Sequence, residues 1–175
     1  MGAVTIHSEH PFVPPEPERD PLRRFRGRLA QPVTVVTAGR GDDRVGLTVS
    51  SVLVAEGDPA RVALLVDEDS DLAETLRPGE AFVVNVLGWA QRGLADPFAG
   101  TGPAPGGPFR LGEWSESDWG PVLVGSVGWL GARVTGEPRP LGWPLLVDAA
   151  VEQVTVSDDD PAPLTHLRGR YRRAD

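Results

Sequence analysis

The sequence contains no cysteine and no lysine, and each absence excludes a kind of chemistry. Without cysteine there are no disulfides, no thiolate nucleophile and no cysteine-ligated metal. Without lysine there is no Schiff base and no lysine nucleophile. All 17 basic residues other than histidine are arginines. Covalent catalysis through a cysteine or a lysine is therefore excluded.

Positive charge and long apolar runs are also scarce. The formal net charge of −8 argues against nucleic acid or an anionic membrane as a partner, because both favour basic surfaces. No apolar run approaches the roughly 18 residues of a membrane-spanning helix. No basic stretch near the N-terminus precedes an apolar one. The sequence therefore predicts neither a membrane span nor a signal peptide, and we expect a cytoplasmic protein.

Proline divides the chain into two parts. Residues 1–19 include the run PFVPPEPE, which favours an extended arm or a loose tail. Residues 20–175 are long enough to form one domain with a sizeable core. The pair Asp20–Pro21 predicts a helix start, and the apolar residues after it recur at helical spacing.

Runs of β-branched residues predict that most of the domain is strand. Two short helices are expected near 70–77 and 89–96, and a long loop is expected over the glycine- and proline-rich residues 100–120. Six or seven strands with few helices predict a mainly β protein, either a barrel or a sandwich. The predicted strands are 33–38, 45–54, 61–66, 81–87, 121–134, 144–156 and 163–171.

Several motifs follow one another in a distinctive order: VTVVT (33–37), GLTVSS (46–51), Pro59, FVVNVL (82–87) and QRGLADPFAG (91–100). Together they resemble the flavin reductase-like family of FMN-binding split barrels, over roughly residues 25 to 173. The resemblance implies a split β-barrel with a few short helices. It also implies a homodimer with flavin sites at the subunit interface. The implied activity is NAD(P)H-dependent reduction of FMN or FAD. The reduced flavin is then supplied to a partner monooxygenase.

Three hydroxyls lie in the second of these motifs, at Thr48, Ser50 and Ser51. Hydroxyls suit the ring edge and ribityl chain of a flavin, and Val49 offers an apolar wall for the ring. The hydroxyls would also suit the solvated face of an antiparallel sheet. The resemblance favours the ligand pocket, and it adds Pro32, which directly precedes the VTVVT motif. We therefore predict that the three hydroxyls point into the pocket.

Two further motifs contain candidate cofactor contacts with open alternatives. Asn85 carries a side-chain amide in a strand that is predicted to be buried, so the amide needs hydrogen-bonding partners. It either contacts the ligand or braces a neighbouring loop. Phe98 and Gly100 follow a helix, where the resemblance implies the rim of the flavin pocket. The alternative is that Pro97 ends the helix and Phe98 anchors the core.

The resemblance implies a phosphate site just after the third strand, in the segment DEDSDLAETL. Ser70 matches the family's serine, with Asp67 beside it, but acids replace the expected basic residue. A carboxylate about 5 Å away repels a phosphate by about 1–3 kcal/mol, whereas a helix N-terminus contributes only about 0.3–1 kcal/mol in its favour. The segment therefore departs from the family pattern at the phosphate.

The same acidic segment also has the features of a well-capped helix. Asp71 and Glu74 fit the spacing of a capping box. We expect the acids to weaken FMN binding unless an arginine from elsewhere holds the phosphate. Arg168, Arg170 or an arginine of a partner subunit would serve.

The catalytic group is not evident from the sequence. Reductases of this family often have a Gly-Asp-His motif where this chain has LGWPLLV, with Trp143 and Pro144 and no histidine. Trp143 or Trp129 would stack a nicotinamide, although a buried tryptophan is the commoner case. His7 and His10 have H-x-x-H spacing, but two ligands make a poor metal site, and we expect no metal. His166 is expected to be a packing residue.

A second function therefore stays open. A degenerate split barrel would bind a flavin-like or other planar ligand, or a protein partner, without reductase activity. The acidic segment and the missing histidine favour this alternative. Haem-binding and deazaflavin-dependent split barrels are further interpretations.

Overall fold

Strands rich in valine, threonine and leucine build an antiparallel sheet. The computed structural model of the chain describes residues 20–174, so the proline-rich arm and its two histidines lie outside the described residues. The strands are Gln31–Pro32 (β1), Thr34–Ala38 (β2), Val45–Val49 (β3), Val52–Ala55 (β4), Arg61–Val66 (β5), Ala81–Val86 (β6), Trp114–Glu116 (β7), Pro121–Leu123 (β8), Gly128–Val134 (β9), Arg139–Pro140 (β10), Leu145–Val156 (β11), Leu164–Leu167 (β12) and Arg170–Arg173 (β13).

Three short α-helices connect the strands: Pro21–Arg26 (α1), Asp71–Thr75 (α2) and Ala95–Phe98 (α3). Short segments of 3-10 helix occur at Gly41–Asp43, Trp89–Leu94 and Pro108–Arg110. Within residues 20–174, no helix combines the length and the apolar character needed to cross a membrane.

The largest sheet has eight strands, and most of them follow the order β3-β2-β6-β9-β11-β5-β4, with β10 paired to β11. Strands β1, β12 and β13 form a second sheet, and β7 and β8 form a third. The pairs within these sheets are antiparallel. The large sheet curls into a half-barrel, which confirms the prediction of a mainly β split barrel.

Two apolar clusters lie on opposite faces of β2, whose five residues are all buried. Val36 packs with Phe82 and Leu64 in the larger cluster. Val33 and Val35 pack with a second cluster that includes Phe98 and Leu123. Because successive side chains on a strand point to opposite faces, a strand between two clusters needs a continuous apolar run. The valines of VTVVT meet that need, and its two buried threonines donate their hydroxyl hydrogens to backbone carbonyls, Thr34 to Val49 and Thr37 to Pro121.

Three predicted strands are each divided in two. The predicted strand 45–54 breaks at Ser50 and Ser51, because β3 pairs with β2 whereas β4 pairs with β5. The predicted strand 121–134 breaks at a turn that contains Gly125, where φ is +72°. The last predicted strand, 163–171, is the first part of a hairpin that turns at Arg168, where φ is +53°, and at Gly169.

Two other expectations need correction. The expected loop over 100–120 contains strand β7 and a turn of 3-10 helix. Read from the sequence alone, the apolar run VLVGSVGWL (122–130) is too long for a small monomer to cover and so favours a homodimer, but Val122 and Leu123 are buried and only Val124 among its large apolar residues is exposed. The run is apolar because it fills the core beside β2, not because it faces a partner.

Helix α1 begins as predicted, because the Asp20 carboxylate accepts a hydrogen bond of 2.6 Å from the Leu22 N–H. However, none of its residues is buried. The side chains of Leu22 and Phe25 are 74% and 63% exposed. The helix therefore presents its apolar residues outward instead of packing them on the sheet.

Candidate functional site

An apolar groove of about 370 Å³ lies where the chain crosses from β3 to β4. Three of the predicted cofactor-binding residues line it: Pro32, Ser50 and Ser51. The crossing creates the groove, because the two strands continue in different parts of the sheet and the serines join them. The apolar walls come from four separate segments and include Leu29, Val52, Leu53, Leu65, Leu141 and Leu146.

The polar atoms of the groove come from three side chains. The Ser50 hydroxyl donates a hydrogen bond of 3.2 Å to the Gln31 side-chain oxygen. Within residues 20–174, the Gln31 side-chain nitrogen and the Ser51 hydroxyl have no hydrogen-bond partner, and both residues are half-buried. The groove therefore offers a free amide donor and a free hydroxyl to a ligand.

The other two predicted cofactor contacts in the GLTVSS motif, Thr48 and Val49, point elsewhere. The Thr48 hydroxyl donates a hydrogen bond of 2.6 Å to the carbonyl of Ala95 in α3. Val49 is 3% exposed and packs in the larger core cluster. Alternation along β3 sends these two side chains to opposite faces, and the strand break then turns the serines toward the groove. Two of the three predicted hydroxyls are thus brought together, and Thr48 instead attaches α3 to the sheet.

Asn85 is fully buried, and its amide is occupied by protein groups. Its nitrogen donates to the Val35 carbonyl (3.1 Å) and to the Thr37 hydroxyl (3.2 Å). Its oxygen accepts from the Leu123 N–H at 2.8 Å. This geometry matches the alternative in which Asn85 braces a neighbouring segment.

Phe98 and Gly100 also lie outside the lining of the groove. Phe98 is 2% exposed, and its ring centre lies 5.1 Å from that of Phe109 and 5.4 Å from that of Trp114. Gly100 is exposed and has φ at +71°. Phe98 therefore anchors the second cluster, and Gly100 supplies the left-handed conformation that ends α3.

The acidic segment after β5 is a capped helix. The Ser70 hydroxyl accepts from the Ala73 N–H (3.1 Å) and donates to the Asp67 carbonyl (2.6 Å). The Asp67 carboxylate accepts from the Asp69 N–H at 3.0 Å. The predicted capping box of Asp71 and Glu74 is wrong, because the serine one position earlier caps α2. The serine that resembles a phosphate ligand is thus engaged with backbone.

The C-terminal hairpin carries Arg168 and His166. The exposed Arg168 lies in the turn, and its N–H donates to the Gly27 carbonyl at 2.7 Å. His166 lies 5.6 Å from the ring of Tyr171. Burial lowers the pKa of His166, Asp96 opposes that effect, and Arg26 adds to it. Burial and a 2.6 Å hydrogen bond to Asp96 raise the pKa of the Tyr171 hydroxyl. His166 is thus a half-buried ring packed beside Tyr171.

The two candidate tryptophans differ in exposure. Trp129 is half-buried, and its ring centre lies 6.2 Å from that of Trp119. Trp143 is 92% exposed, and it belongs to the hairpin loop that begins with Leu141 in the groove wall. Only Trp143 therefore has an open ring face close to the groove. Within residues 20–174, no group of three or more histidine, cysteine or acidic side chains is placed to hold a metal ion.

Two contributors to the groove were missed from the sequence. Gln31 directly precedes Pro32, so a polar residue at the start of an apolar motif was the available signal. Leu141 lies about 90 residues after the serines in sequence, and it reaches the groove because β10 pairs with β11, which in turn pairs with β5. No local sequence pattern indicates that Leu141 lies beside the serines.

Comparison with known proteins places this chain in a family. The profile of the flavin reductase-like domain matches residues 26–175. The chain belongs to the flavin reductase-like family. An NADH:FMN oxidoreductase of Rhodococcus qingshengii is 33% identical over 145 residues, which cover 81% of this chain and 74% of that protein.

Two further flavin reductase-like proteins extend the comparison. The reductase component of a 4-hydroxyphenylacetate 3-monooxygenase from Thermus thermophilus is 28% identical over 155 residues, covering 89% of this chain and 96% of that protein. The Streptomyces globisporus NADH:FAD oxidoreductase SgcE6, solved with NAD and FAD fragments, superposes with a TM-score of 0.77. It is 26% identical and covers 88% of this chain and 91% of its own.

Proposed function

We propose that this flavin reductase-like protein uses NAD(P)H to reduce FMN or FAD bound in the groove beside Ser50 and Ser51. One observation carries the proposal: an apolar groove with a free hydroxyl and a free amide lies at the family's hydroxyl motif. Its volume of about 370 Å³ lies near the lower end of ligand pockets, which span about 300–1,000 Å³. The groove therefore fits a ring system better than a whole nucleotide.

The residues of the groove bind and orient the ring. The leucines of the walls cover apolar ring faces and keep water away from them. The Ser51 hydroxyl and the Gln31 amide are placed to hydrogen-bond the polar edge of the ring. A bound flavin supplies the hydride-accepting chemistry of the reaction. The protein contributes proximity and orientation, which need neither a cysteine nor a lysine nucleophile.

Trp143 is the candidate for orienting the nicotinamide. Its exposed ring lies two residues after Leu141, in the loop beside the groove. Aromatic rings stack with a gain of about 0.5–1.5 kcal/mol beyond burial. An indole face in this loop would hold a nicotinamide over a ring that occupies the groove.

A homodimer and a partner oxygenase belong to the same proposal. Leu53 and Leu141, which both line the groove, are 74% and 48% exposed, and a second copy of the chain would cover them. A monooxygenase that consumes reduced flavin is supported by the Thermus thermophilus relative, which is a reductase component. A cytoplasmic location remains part of the proposal.

Measuring flavin binding and NADH oxidation together tests this function. We expect flavin to bind and NADH to be oxidised at a rate that depends on added FMN or FAD. Replacing Ser51 with alanine and Gln31 with alanine removes two hydrogen bonds, so flavin affinity should fall about two- to tenfold for each. Ser115→Ala, an exposed serine outside the groove, is the control and should change nothing.

The possible outcomes separate the two functions. Flavin binding without NADH oxidation would support the degenerate barrel that binds its ligand without catalysis. Absence of flavin binding by the parent protein would contradict both. Unchanged flavin affinity in the Ser51 and Gln31 variants would place the ring elsewhere.

A further inference from the structure

The arginines of this acidic protein are strongly concentrated. Eight of the 17 lie in residues 21–28 and 168–173, and neither segment contains an aspartate or a glutamate. All 25 acidic residues belong to the rest of the chain, with the other nine arginines. The protein therefore has a basic surface although its net charge is −8.

The two basic segments form one surface because they touch. The N–H of Arg168 donates to the carbonyl of Gly27 at 2.7 Å, which joins the C-terminal hairpin to the end of α1. Arg26 is also close enough to His166 to help lower the pKa of that ring. We refer to seven exposed arginines of this surface as the arginine cluster: Arg23, Arg24, Arg26, Arg28, Arg168, Arg170 and Arg172.

The arginine cluster lacks carboxylate partners within residues 20–174. Arg61 and Arg133, elsewhere on the molecule, are paired with Asp148 at 2.6 Å and with Glu152 at 2.9 Å. The cluster makes no such ion pair with any described residue. Like charges held together repel one another, and an anion from outside relieves that repulsion.

The arginine cluster reaches one end of the groove. Leu29 and Ala30 line the groove, and Arg28 directly precedes them in the chain. Arg28 is exposed and therefore lies next to this end of the groove. A groove that fits only the ring leaves a phosphorylated side chain outside, where it needs a cationic partner.

The alternative phosphate site is unfavourable. Ser70 already caps α2, and the neighbouring Asp67, Glu68 and Asp69 are exposed carboxylates. Guanidinium groups, by contrast, bind phosphate with two parallel, charge-assisted hydrogen bonds. We propose that the arginine cluster, through Arg28 and Arg168, binds the phosphate of the flavin in place of the segment after β5. This inference rests on the proposed function.

Comparing FMN with riboflavin isolates the phosphate, because both share the ring. Dissociation constants are measured by flavin fluorescence for the parent and for the double variant Arg28→Gln/Arg168→Gln. We expect the parent to bind FMN more tightly than riboflavin. The double variant should lose about ten- to a hundredfold in FMN affinity and keep its riboflavin affinity within about twofold. Retained riboflavin binding also shows that the variant folds.

Two controls locate the effect. Arg110→Gln removes the same charge from an exposed arginine outside the groove, and it should leave both affinities unchanged. The variant Glu68→Asn/Asp69→Arg removes two acids and adds one positive charge after β5, and it should also change FMN affinity little. Raising the salt concentration above about 0.1 M should lower the ratio of FMN affinity to riboflavin affinity in the parent, because exposed charges are screened.

Each contrary result has a distinct meaning. Equal affinity of the parent for FMN and riboflavin would overturn the phosphate site and leave the proposed function standing. An FMN preference that survives in the double variant, or that rises tenfold in Glu68→Asn/Asp69→Arg, would place the phosphate at the segment after β5 and overturn the inference. Failure of the parent to bind either flavin would overturn the proposed function as well.

Discussion

The amide of Asn85 shows how a single polar residue organises the interior. It connects β6 to β2 through the Val35 carbonyl and to β8 through the Leu123 N–H. Every bond it makes is to protein, and its side chain is fully buried. An amide in this position holds three strands together, because its loss would leave buried polar groups such as the Leu123 N–H without this hydrogen bond.

Replacing Asn85 with alanine should therefore cost stability and not ligand affinity. Each buried partner left unpaired costs about 1–3 kcal/mol, so we expect the free energy of unfolding to fall by at least that amount. Urea denaturation measures the loss, and a flavin titration at low temperature measures the affinity. A large fall in affinity with unchanged stability would instead make Asn85 a ligand contact.

Trp143 is the residue on which recognition of the nicotinamide is proposed to depend. Removing a stacking ring costs about 0.5–1.5 kcal/mol, which corresponds to a two- to tenfold change. We therefore expect Trp143→Ala to raise the KM for NADH by about that factor and to leave flavin affinity unchanged. Trp143→Phe should keep the KM for NADH close to that of the parent, because phenylalanine also stacks. An unchanged KM for NADH in Trp143→Ala would show that the nicotinamide does not stack on Trp143.

At the scale of elements, α2 depends on Ser70. The serine accepts from the Ala73 N–H and so satisfies one free donor of the first turn. Ser70→Ala should lower the free energy of unfolding by about 0.5–2 kcal/mol, whereas Ser70→Asn should preserve it, because asparagine caps equally well. Thermal melting compares the two variants. A fall in FMN affinity in Ser70→Asn, with stability preserved, would contradict a purely capping role.

The C-terminal hairpin should make the fold sensitive to acid through His166. Its pKa lies below the ordinary value in the folded state, mainly because of burial. As the pH falls through about 6.5, the unfolded chain takes up a proton that the folded state resists. The contribution of His166 to stability is therefore present above that pH and is lost below it.

Replacing His166 with glutamine tests this dependence. Between about pH 7.5 and pH 5.5, which brackets the ordinary pKa of histidine, the melting temperature of the parent should fall by more than that of the variant. Tyr171 does not interfere, because its raised pKa means that it stays protonated throughout this range. Equal falls in the two proteins would show that other groups cause the acid sensitivity.

At the scale of the whole molecule, exposed apolar residues favour self-association. Leu53, Val54 and Trp143 are 74%, 60% and 92% exposed, and Leu53 lines the groove. Sedimentation at micromolar concentration should show a species of twice 18.7 kDa. Leu53→Glu should shift it toward the monomer, because burial of a carboxylate in an interface is costly.

The control for association is Val124→Glu, at an exposed apolar residue outside the groove. It should sediment like the parent. A parent protein that sediments only at 18.7 kDa would contradict the homodimer.

The sequence by itself determined the fold class, the family and the position of the serines. These depend on local patterns: β-branched runs predict strands, and GLTVSS or FVVNVL is read within a few residues. The strand break at Ser50–Ser51 was missed, because a break depends on which strands a segment pairs with. The absence of cysteine and lysine is also evident from the sequence. It limits the protein's contribution to the chemistry to binding and orientation.

Only the tertiary structure decided which residues meet. It brought Leu141 and Gln31 to Ser51, placed Thr48 on α3, and enclosed Asn85 among three strands. It also joined α1 to the C-terminal hairpin, so that arginines about 140 residues apart in sequence share one surface. The physical reason is that sheet pairing connects distant segments, and the side on which a residue faces follows from that pairing and not from its neighbours in sequence.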